Sequence, residues 1–350
     1  MRVVAVSDMW GRGLEHHRAN RAEASTDVNE RNSSLGAQIT ASPVVNHDHA
    51  FGPASCGEPV RQWYAGGSAT GRKNPGGPNL KDSEARDLIA LIYEHSGIVL
   101  TLDKKHLISS RLNKRVRKLG LRSFRAYMDY LRYSPERDIE MVSMIDEITT
   151  NKTEFFREHQ HFDFLISNIL PGLVTSEWST LSFWCAGCST GEEPYSLAMV
   201  LAEYFGTTRN FTIFATDLST QALRTAYRAI YANDLGASIP FGLRQKYTLT
   251  GHGSQTGKFR IAPELRGRVT FDQLNLIASD WKIPGTVNIV FCRNTMIYFD
   301  QKTRGEIIAR FRRHLKSDGY LFIGHSESLG GLERKLGFVQ VKPTVYALRQ

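Results

Sequence analysis

Residues 181–201 read Leu-Ser-Phe-Trp-Cys-Ala-Gly-Cys-Ser-Thr-Gly-Glu-Glu-Pro-Tyr-Ser-Leu-Ala-Met-Val-Leu. The apolar run 181–185 suits a strand covered on both faces. Residues 186–191 are all small, and Gly187 and Gly191 permit a tight turn with close backbone approach to a ligand. Ser189 or Thr190 is placed to cap a following helix, with Glu192 or Glu193 closing a capping box. Pro194 is tolerated so early because the first helical amides lack intrahelical partners. Strand, glycine turn and helix start together form the usual small-molecule site of α/β folds.

Outward from this stretch the chain alternates. Strands are predicted at 181–185, 211–216, 269–274, 287–292 and 320–324, and helices at 193–205, 220–227 and 303–315. A last extended pair, 338–341 and 344–348, is split by Lys342-Pro343 and predicts a hairpin or edge strand. Alternation of this kind predicts a parallel sheet with right-handed crossovers. The exception is 233–268, rich in glycine and polar residues with short extended pieces at 246–250 and 258–261, which predicts a small antiparallel β insertion.

Between Ser83 and Thr150 the spacing of apolar residues predicts four helices: one from Ser83 to Gly97, one from Asp103 to Leu119, one opened by Ser123 and one by Pro135. In the fourth, Ile139, Val142, Ile145 and Ile148 mark the expected core face. The second carries Lys104, Lys105, Arg111, Lys114, Arg115, Arg117 and Lys118 against the single acid Asp103. Such a helix fits either a solvated face or a docking face for an acidic partner.

The 350 residues give room for about two domains, and 41% are hydrophobic, enough for real cores. No run approaches the roughly 20 apolar residues of a membrane span, and no signal-peptide region opens the chain, so membrane insertion and secretion are not expected. The four cysteines are unevenly spaced and make no disulfide framework, which favours a reducing cytoplasmic setting. Of the net charge of +9, residues 1–80 contribute little, with 8 Lys/Arg against 7 Asp/Glu; the remainder holds 36 against 28. A basic folded part points to an anionic partner. No zinc or helix-turn-helix signature and no aromatic interleaving supports nucleic acid, and no DNA is expected. Residues 1–80 hold ten of the 29 glycines and end in linker composition, which predicts a disordered tail. Its histidines His16, His17, His47 and His49 read as solvated.

Asp217 closes the second strand of the sheet, where a carboxylate suits the two hydroxyls of a ribose; a helix cap is the alternative. Trp184-Cys185-Ala-Gly-Cys188 has the spacing of a thioredoxin-type redox pair, but no thioredoxin-sized unit surrounds it, and no second cysteine pair follows at zinc-ribbon spacing. His325-Ser326-Glu327 are too close in sequence to face one another as a hydrolytic triad and read as a structural turn.

The stretch around Ser-Thr-Gly-Glu-Glu-Pro-Tyr-Ser resembles the cofactor motif of the CheR chemotaxis methyltransferases. Supporting motifs follow in the same order: Thr149-Thr-Asn-Lys-Thr-Glu-Phe-Phe-Arg-Glu158, Phe214-Ala-Thr-Asp-Leu218, Phe291-Cys-Arg-Asn-Thr-Met-Ile-Tyr-Phe-Asp300, Gly324-His-Ser-Glu327 and Thr344-Val-Tyr-Ala-Leu348. The likeness spans about residues 82–349. It implies a Rossmann-like class I methyltransferase sheet with a small N-terminal helical domain and the β insertion, dividing the chain into a tail (1–80), a helical domain (81–150) and a cofactor-binding domain (151–350). It implies methyl transfer from S-adenosyl-L-methionine to glutamate side chains in the cytoplasmic helical region of chemoreceptors. The competing implication is a catalytically altered signalling adaptor of the same build, binding an acidic protein or nucleic acid.

Carried over by motif, Arg157 and Tyr298 become the catalytic candidates, Arg157 aligning the acceptor carboxylate and also touching cofactor. The cofactor-binding candidates are Asn151, Thr153, Gly187, Glu192, Asp217, Asn275, Leu276, Cys292 and Arg293, with the Asn275 amide meeting an adenine edge and Leu276 its face. The alternative for Arg157 is an ion pair with Glu154 or Glu158. Arg111, Arg115 and Lys118 on the basic helix become the substrate-docking candidates. Gly251-His252-Gly253 resembles the glycine-containing insertion of members that dock a receptor C-terminal peptide by strand addition. No metal is implied.

Overall fold

The structure is a computed structural model that describes residues 77–174, 180–206 and 210–349. The tail expected over residues 1–80 therefore falls, up to residue 76, outside the described residues. Its end is already anchored, because Leu80 is fully buried in the core of the helical domain.

That domain is built from α1 (Asp82–Ser96), α2 (Lys105–Lys118), α3 (Phe124–Tyr133) and α4 (Arg137–Ile148). The Ser123 hydroxyl caps α3 by accepting from the Ala126 N–H at 3.1 Å, as its sequence predicts. Gly97 ends α1 in the left-handed region at φ 70°, the conformation that favours glycine after a helix.

Helix α4 differs from expectation. Ile139 is 73% exposed and Val142 is also exposed, whereas Glu140 is only 3% exposed. The cause is a buried polar cluster. The Arg115 guanidinium grips both Glu140 oxygens, Nε donating to Oε1 at 3.0 Å and Nη2 to Oε2, while the Tyr127 hydroxyl donates to Oε1 at 2.7 Å. Turning Glu140 inward to meet Arg115 rotates Ile139 and Val142 outward, since neighbours on a helix lie about 100° apart.

The second part is a seven-stranded sheet in the order β6-β2-β1-β7-β8-β10-β9. Its strands are β1 (Thr180–Ala186), β2 (Asn210–Asp217), β6 (Val269–Gln273), β7 (Val287–Cys292), β8 (Leu315–Ile323), β9 (Phe338–Lys342) and β10 (Val345–Leu348). Strands β6, β2, β1, β7 and β8 pair in parallel, while β10 runs antiparallel to both β8 and β9. The expected terminal hairpin is present, but β10 slots inside it against β8 and leaves β9 as the edge.

Both faces of the sheet are covered, as its near-continuous apolar strands require. Leu181, Phe183 and Cys185 of β1 join one core with Ile289, Phe291 and Phe322. Trp184 and Ala186, pointing the other way, join a second core with Val290, Cys292 and Ile323. The period-two alternation of a strand thus divides one short sequence between two cores. The first core is closed by α5, which runs as Gln160–Phe164, a π-helical segment Leu165–Ile169 and Leu170–Val174, and by α6 (Glu192–Phe205). The second is closed by α10 (Gln301–His314); between them in the chain come α7 (Thr220–Arg228), α8 (Phe241–Tyr247) and α9 (Pro263–Arg266).

The insertion forms a separate sheet, β3 (Ile230–Ala232), β5 (Lys258–Ile261) and β4 (Thr248–Thr250), with β5 in the centre and both pairings antiparallel. It begins slightly before residue 233, since β3 starts at Ile230. Gly253–Gln255 forms a 3₁₀ turn between β4 and β5, and the Gly251 N–H donates to the Lys258 carbonyl at 2.9 Å.

Removing one partner of a buried ion pair leaves the other charge uncompensated, which typically costs about 3–5 kcal/mol. Arg115→Ala should therefore lower the unfolding free energy in urea by about 3 kcal/mol, and a loss below about 1 kcal/mol, the range of an exposed pair, would show that the cluster does not hold the bundle.

Candidate functional site

Strand order reverses at β1: the chain leaves it toward β2 on one side and returns through β7 on the other. At such a switch point the loops after neighbouring strands separate and open a crevice at the carboxyl edge. Here the crevice is a cavity of about 460 Å³. Its floor comes from the ends of β1 (Gly187, Ser189), β2 (Asp217), β6 (Leu274 to Leu276) and β7 (Arg293 to Thr295), and its roof from residues 149–157 and the helical domain near Val99 and Leu107. The helical domain therefore completes the site.

The turn after β1 has three residues at positive φ: Gly187 at 83°, Ser189 at 50° and Gly191 at 97°. A Cβ on Gly187 would lie 2.2 Å from the Thr295 hydroxyl, so only glycine lets the β1 and β7 loops close. The expected side-chain cap is absent. Gly191 occupies the N-cap without one, and the Thr190 hydroxyl donates instead to Glu192 at 2.6 Å. Ser189 serves the cavity: its N–H donates to Asp217 Oδ2 at 2.7 Å and its hydroxyl to the Asn151 carbonyl at 3.1 Å. The other Asp217 oxygen accepts from the Ser219 N–H at 2.8 Å. Burial raises this carboxyl above its ordinary range against the pull of those amide bonds.

Arg157 projects from a strained segment. Phe156 and Glu158 on either side of it lie at φ 55° and 54°, a conformation costly for residues with side chains. Phe155 and Phe156 are buried, and the Phe156 N–H donates to the Ser196 hydroxyl at 2.9 Å. That anchoring holds Arg157 at the cavity wall, where its Nη1 donates to the Lys152 carbonyl at 3.1 Å. Tyr298 lines the same cavity, half-buried, with burial raising its phenol and nearby Arg157 opposing the rise.

Arg293 is the centre of a charged cluster. Its side chain is 2% exposed, Nε lies 3.5 Å from Glu158 Oε2 and 3.4 Å from Glu193 Oε2, and Nη2 donates to the Arg157 carbonyl. The expected alternative of an Arg157–Glu158 pair is thus not formed; Glu158 is used by Arg293. Arg293 Nη1 and Glu193 Oε1 are both buried without a hydrogen-bond partner among the described residues, and both residues line the cavity. A buried donor and acceptor left open at a cavity wall fit a zwitterionic group, a carboxylate at the guanidinium and an ammonium at the glutamate.

Of the residues named from sequence, Asn151, Thr153, Arg157, Gly187, Asp217, Asn275, Leu276, Arg293 and Tyr298 line this cavity. Five differ from expectation. Glu192 is buried and bonded by Thr190, outside the cavity lining, and Glu193, one residue on, faces the cavity in its place. Cys292 points into the second core and does not line the cavity. Asn275 is at the wall, but its amide is engaged, donating to the His95 carbonyl at 2.7 Å and accepting from the Ile277 N–H at 3.1 Å. Arg115 is committed to Glu140, and Arg111 to the Ile148 and Thr149 carbonyls and the Thr150 hydroxyl. Arg111 thereby fixes the strand of chain that roofs the cavity, while Lys118 is exposed.

Sequence reasoning missed Glu158, Glu193 and Glu327. The carboxylate of Glu327 accepts from the backbone N–H groups of Gly324, Asn294 and Ile297, and so shapes the loop after β7. The structural-turn reading of Gly324 to Glu327 fits this geometry. Cys185 and Cys188 are buried, and desolvation pushes both thiols well above their ordinary range, the reverse of a redox-active pair.

The CheR methyltransferase SAM-binding domain matches residues 151–345, and the all-alpha domain of the same proteins matches residues 83–149. The chemotaxis protein methyltransferase of Borreliella burgdorferi is 42% identical over 72% of this chain and 90% of its own length. That of Escherichia coli is 40% identical over 77% and 92%, and chemotaxis protein methyltransferase 2 of Pseudomonas aeruginosa 38% over 68% and 83%. The open, mainly parallel sheet with a charged crevice at its carboxyl edge has the architecture of a Rossmann-like methyltransferase domain. The chain belongs to the CheR methyltransferase family and is a methyltransferase that uses S-adenosyl-L-methionine.

Buried, protonated thiols react only on unfolding. Native protein should therefore take up no thiol reagent at Cys185, Cys188 or Cys292 at pH 8 and label all three in urea, read by peptide mass mapping; native labelling of Cys185 or Cys188 would restore the redox reading.

Proposed function

We propose that this chain transfers the cofactor methyl group to glutamate side chains in the cytoplasmic helical region of chemoreceptors, giving methyl esters, and acts in the cytoplasm. The observation that carries the reading is the shared cavity. Asp217, Glu193 and Arg293 offer groups for a nucleoside and an amino acid, while Arg157 and Tyr298 face the same space. S-adenosylmethionine supplies an electrophilic methyl on a sulfonium. The residues present fit it: the Gly187 turn leaves backbone room, and the unpartnered Arg293 and Glu193 atoms match its amino-acid end.

A glutamate carboxylate, with a pKa of about 4.3, is already ionised near neutral pH and needs no general base. The task of the protein is to align and desolvate it. In this reading Arg157 holds the acceptor carboxylate through planar paired donors, with Tyr298 giving a further hydrogen bond or packing against it. Asp217 keeps its ribose role, fixed by the Ser189 and Ser219 amides. Asn151 and Thr153 shape the roof, and Asn275 and Leu276 the adenine wall, Leu276 by its apolar side chain and Asn275 by locking the loop to His95.

Docking would use the exposed cations on α2 and just before it. Lys104 both lines the cavity and is exposed, and Lys118 continues the face. The division into a helical domain (81–150) that docks the receptor and a catalytic domain (151–350) belongs to the same proposal. A receptor C-terminal peptide would add a strand at the exposed edge of β4, beside the Gly251-His252-Gly253 turn, where Leu249 is 52% exposed.

Incubation with methyl-labelled cofactor and receptor cytoplasmic fragments should give base-labile label on glutamate. Arg157→Ala should lower kcat by about 100-fold or more through lost alignment, with binding of S-adenosylhomocysteine retained to within about one order of magnitude. Label on another residue type, or an unchanged kcat, would overturn the assignment.

A further inference from the structure

At the start of α5 and in the loop after β8, Glu158, His161 and His325 converge, with one ligand atom of each within 4.8 Å of the others. The hydrogen-bond pattern sets the state of His161. The Thr344 hydroxyl donates to the Pro343 carbonyl at 2.6 Å, so toward the imidazole it acts as acceptor, and His161 Nε2 stands 2.8 Å from it. The proton of the neutral ring therefore sits on Nε2. Nδ1 is left with a lone pair that faces Glu158 Oε2 at 3.4 Å.

Two acceptors thus point at each other inside the protein. His161 is 1% exposed, and neither Nδ1 nor Glu158 Oε2 has a hydrogen-bond partner among the described residues. Such an arrangement is unfavourable unless a cation lies between them. Arg293 does not satisfy Oε2, because its Nε is 3.5 Å away and is shared with Glu193. His325 supplies the second imidazole from the exposed side, its ring 5.4 Å from that of His161, and gives an entry path from solvent.

We propose that Glu158 Oε2, His161 Nδ1 and a ring nitrogen of His325 form a binding site for a divalent transition-metal cation, with zinc as the natural occupant. Two neutral imidazoles and a carboxylate are a common zinc donor set, and the fourth position faces water. Bond lengths of about 2.0–2.2 Å bring ligand atoms about 3.3 Å apart, so His325 has to draw in while the two buried ligands are nearly in place. Thr344 is then the outer partner that fixes the His161 tautomer. The metal would pin the start of α5 to the loop after β8, next to Arg157. It does not touch the reacting groups, and the proposal is independent of the acceptor assigned above.

Metal-stripped full-length protein, titrated with zinc against a chromogenic chelator, should bind an equivalent that His325→Ala weakens by at least about 10-fold. That surface change should leave S-adenosylhomocysteine binding intact, and His161→Gln should weaken the same equivalent from the buried side. Cobalt in place of zinc should show ligand-field bands without thiolate charge transfer. No saturable zinc equivalent, or an equivalent unchanged in both variants and so held elsewhere, for example by His16, His17, His47 and His49, would overturn the proposal.

Discussion

The Arg293 guanidinium, buried between Glu158 and Glu193, is the interaction on which the site depends. Arg293 comes from the end of β7, Glu193 from the first turn of α6 and Glu158 from the segment that enters α5. Three separate parts of the chain are thereby drawn to one point at the carboxyl edge of the sheet. A buried charge is tolerated only when its neighbours compensate it, so displacement of any one of the three segments exposes the other two to a penalty. Arg293 also donates to the carbonyl of Arg157. The residue proposed to orient the acceptor is thus carried on backbone fixed by the residue proposed to read the cofactor.

The helical domain contributes in a different way. Its basic second helix reads in sequence as a docking face, yet its two central arginines look inward. Arg115 neutralises Glu140 within the bundle, and Arg111 caps the end of α4 and holds residues 148–150. Since those residues lead into the cavity roof, the charge counted on this helix is partly structural. What remains for a partner is concentrated at the exposed lysines, close to the cavity mouth at Lys104.

Much of the fold is legible in the sequence because strand burial and helix caps are local signals. The apolar runs at 181–185, 211–216 and 287–292 lie inside β1, β2 and β7, and Ser123 marks the start of α3. The misread elements depend on distant partners. Helix α4 carries apolar residues on two faces, and only the pairing of Glu140 with Arg115 selects which face turns inward. The order of β10 and β9 depends on the edge of β8. In the site, Arg157 stands out by motif, and Asp217 and Gly187 also by position at strand ends. Glu192 and Glu193 cannot be told apart in sequence, because about 100° of helical rotation separates a cavity wall from a buried pocket. Glu158 was visible only as a neighbour of Arg157; its true partner lies 135 residues away.

Arg293 and Glu193 are proposed to read the amino-acid end of the cofactor while the sheet edge holds its nucleoside. Calorimetric titration comparing S-adenosylhomocysteine with 5′-methylthioadenosine, which keeps the nucleoside and lacks the amino acid, tests it most directly. Loss of the amino acid should weaken binding by at least about 100-fold, since a buried charged donor and acceptor are then left unpaired; equal affinities for the two ligands would rule out that role for Arg293 and Glu193.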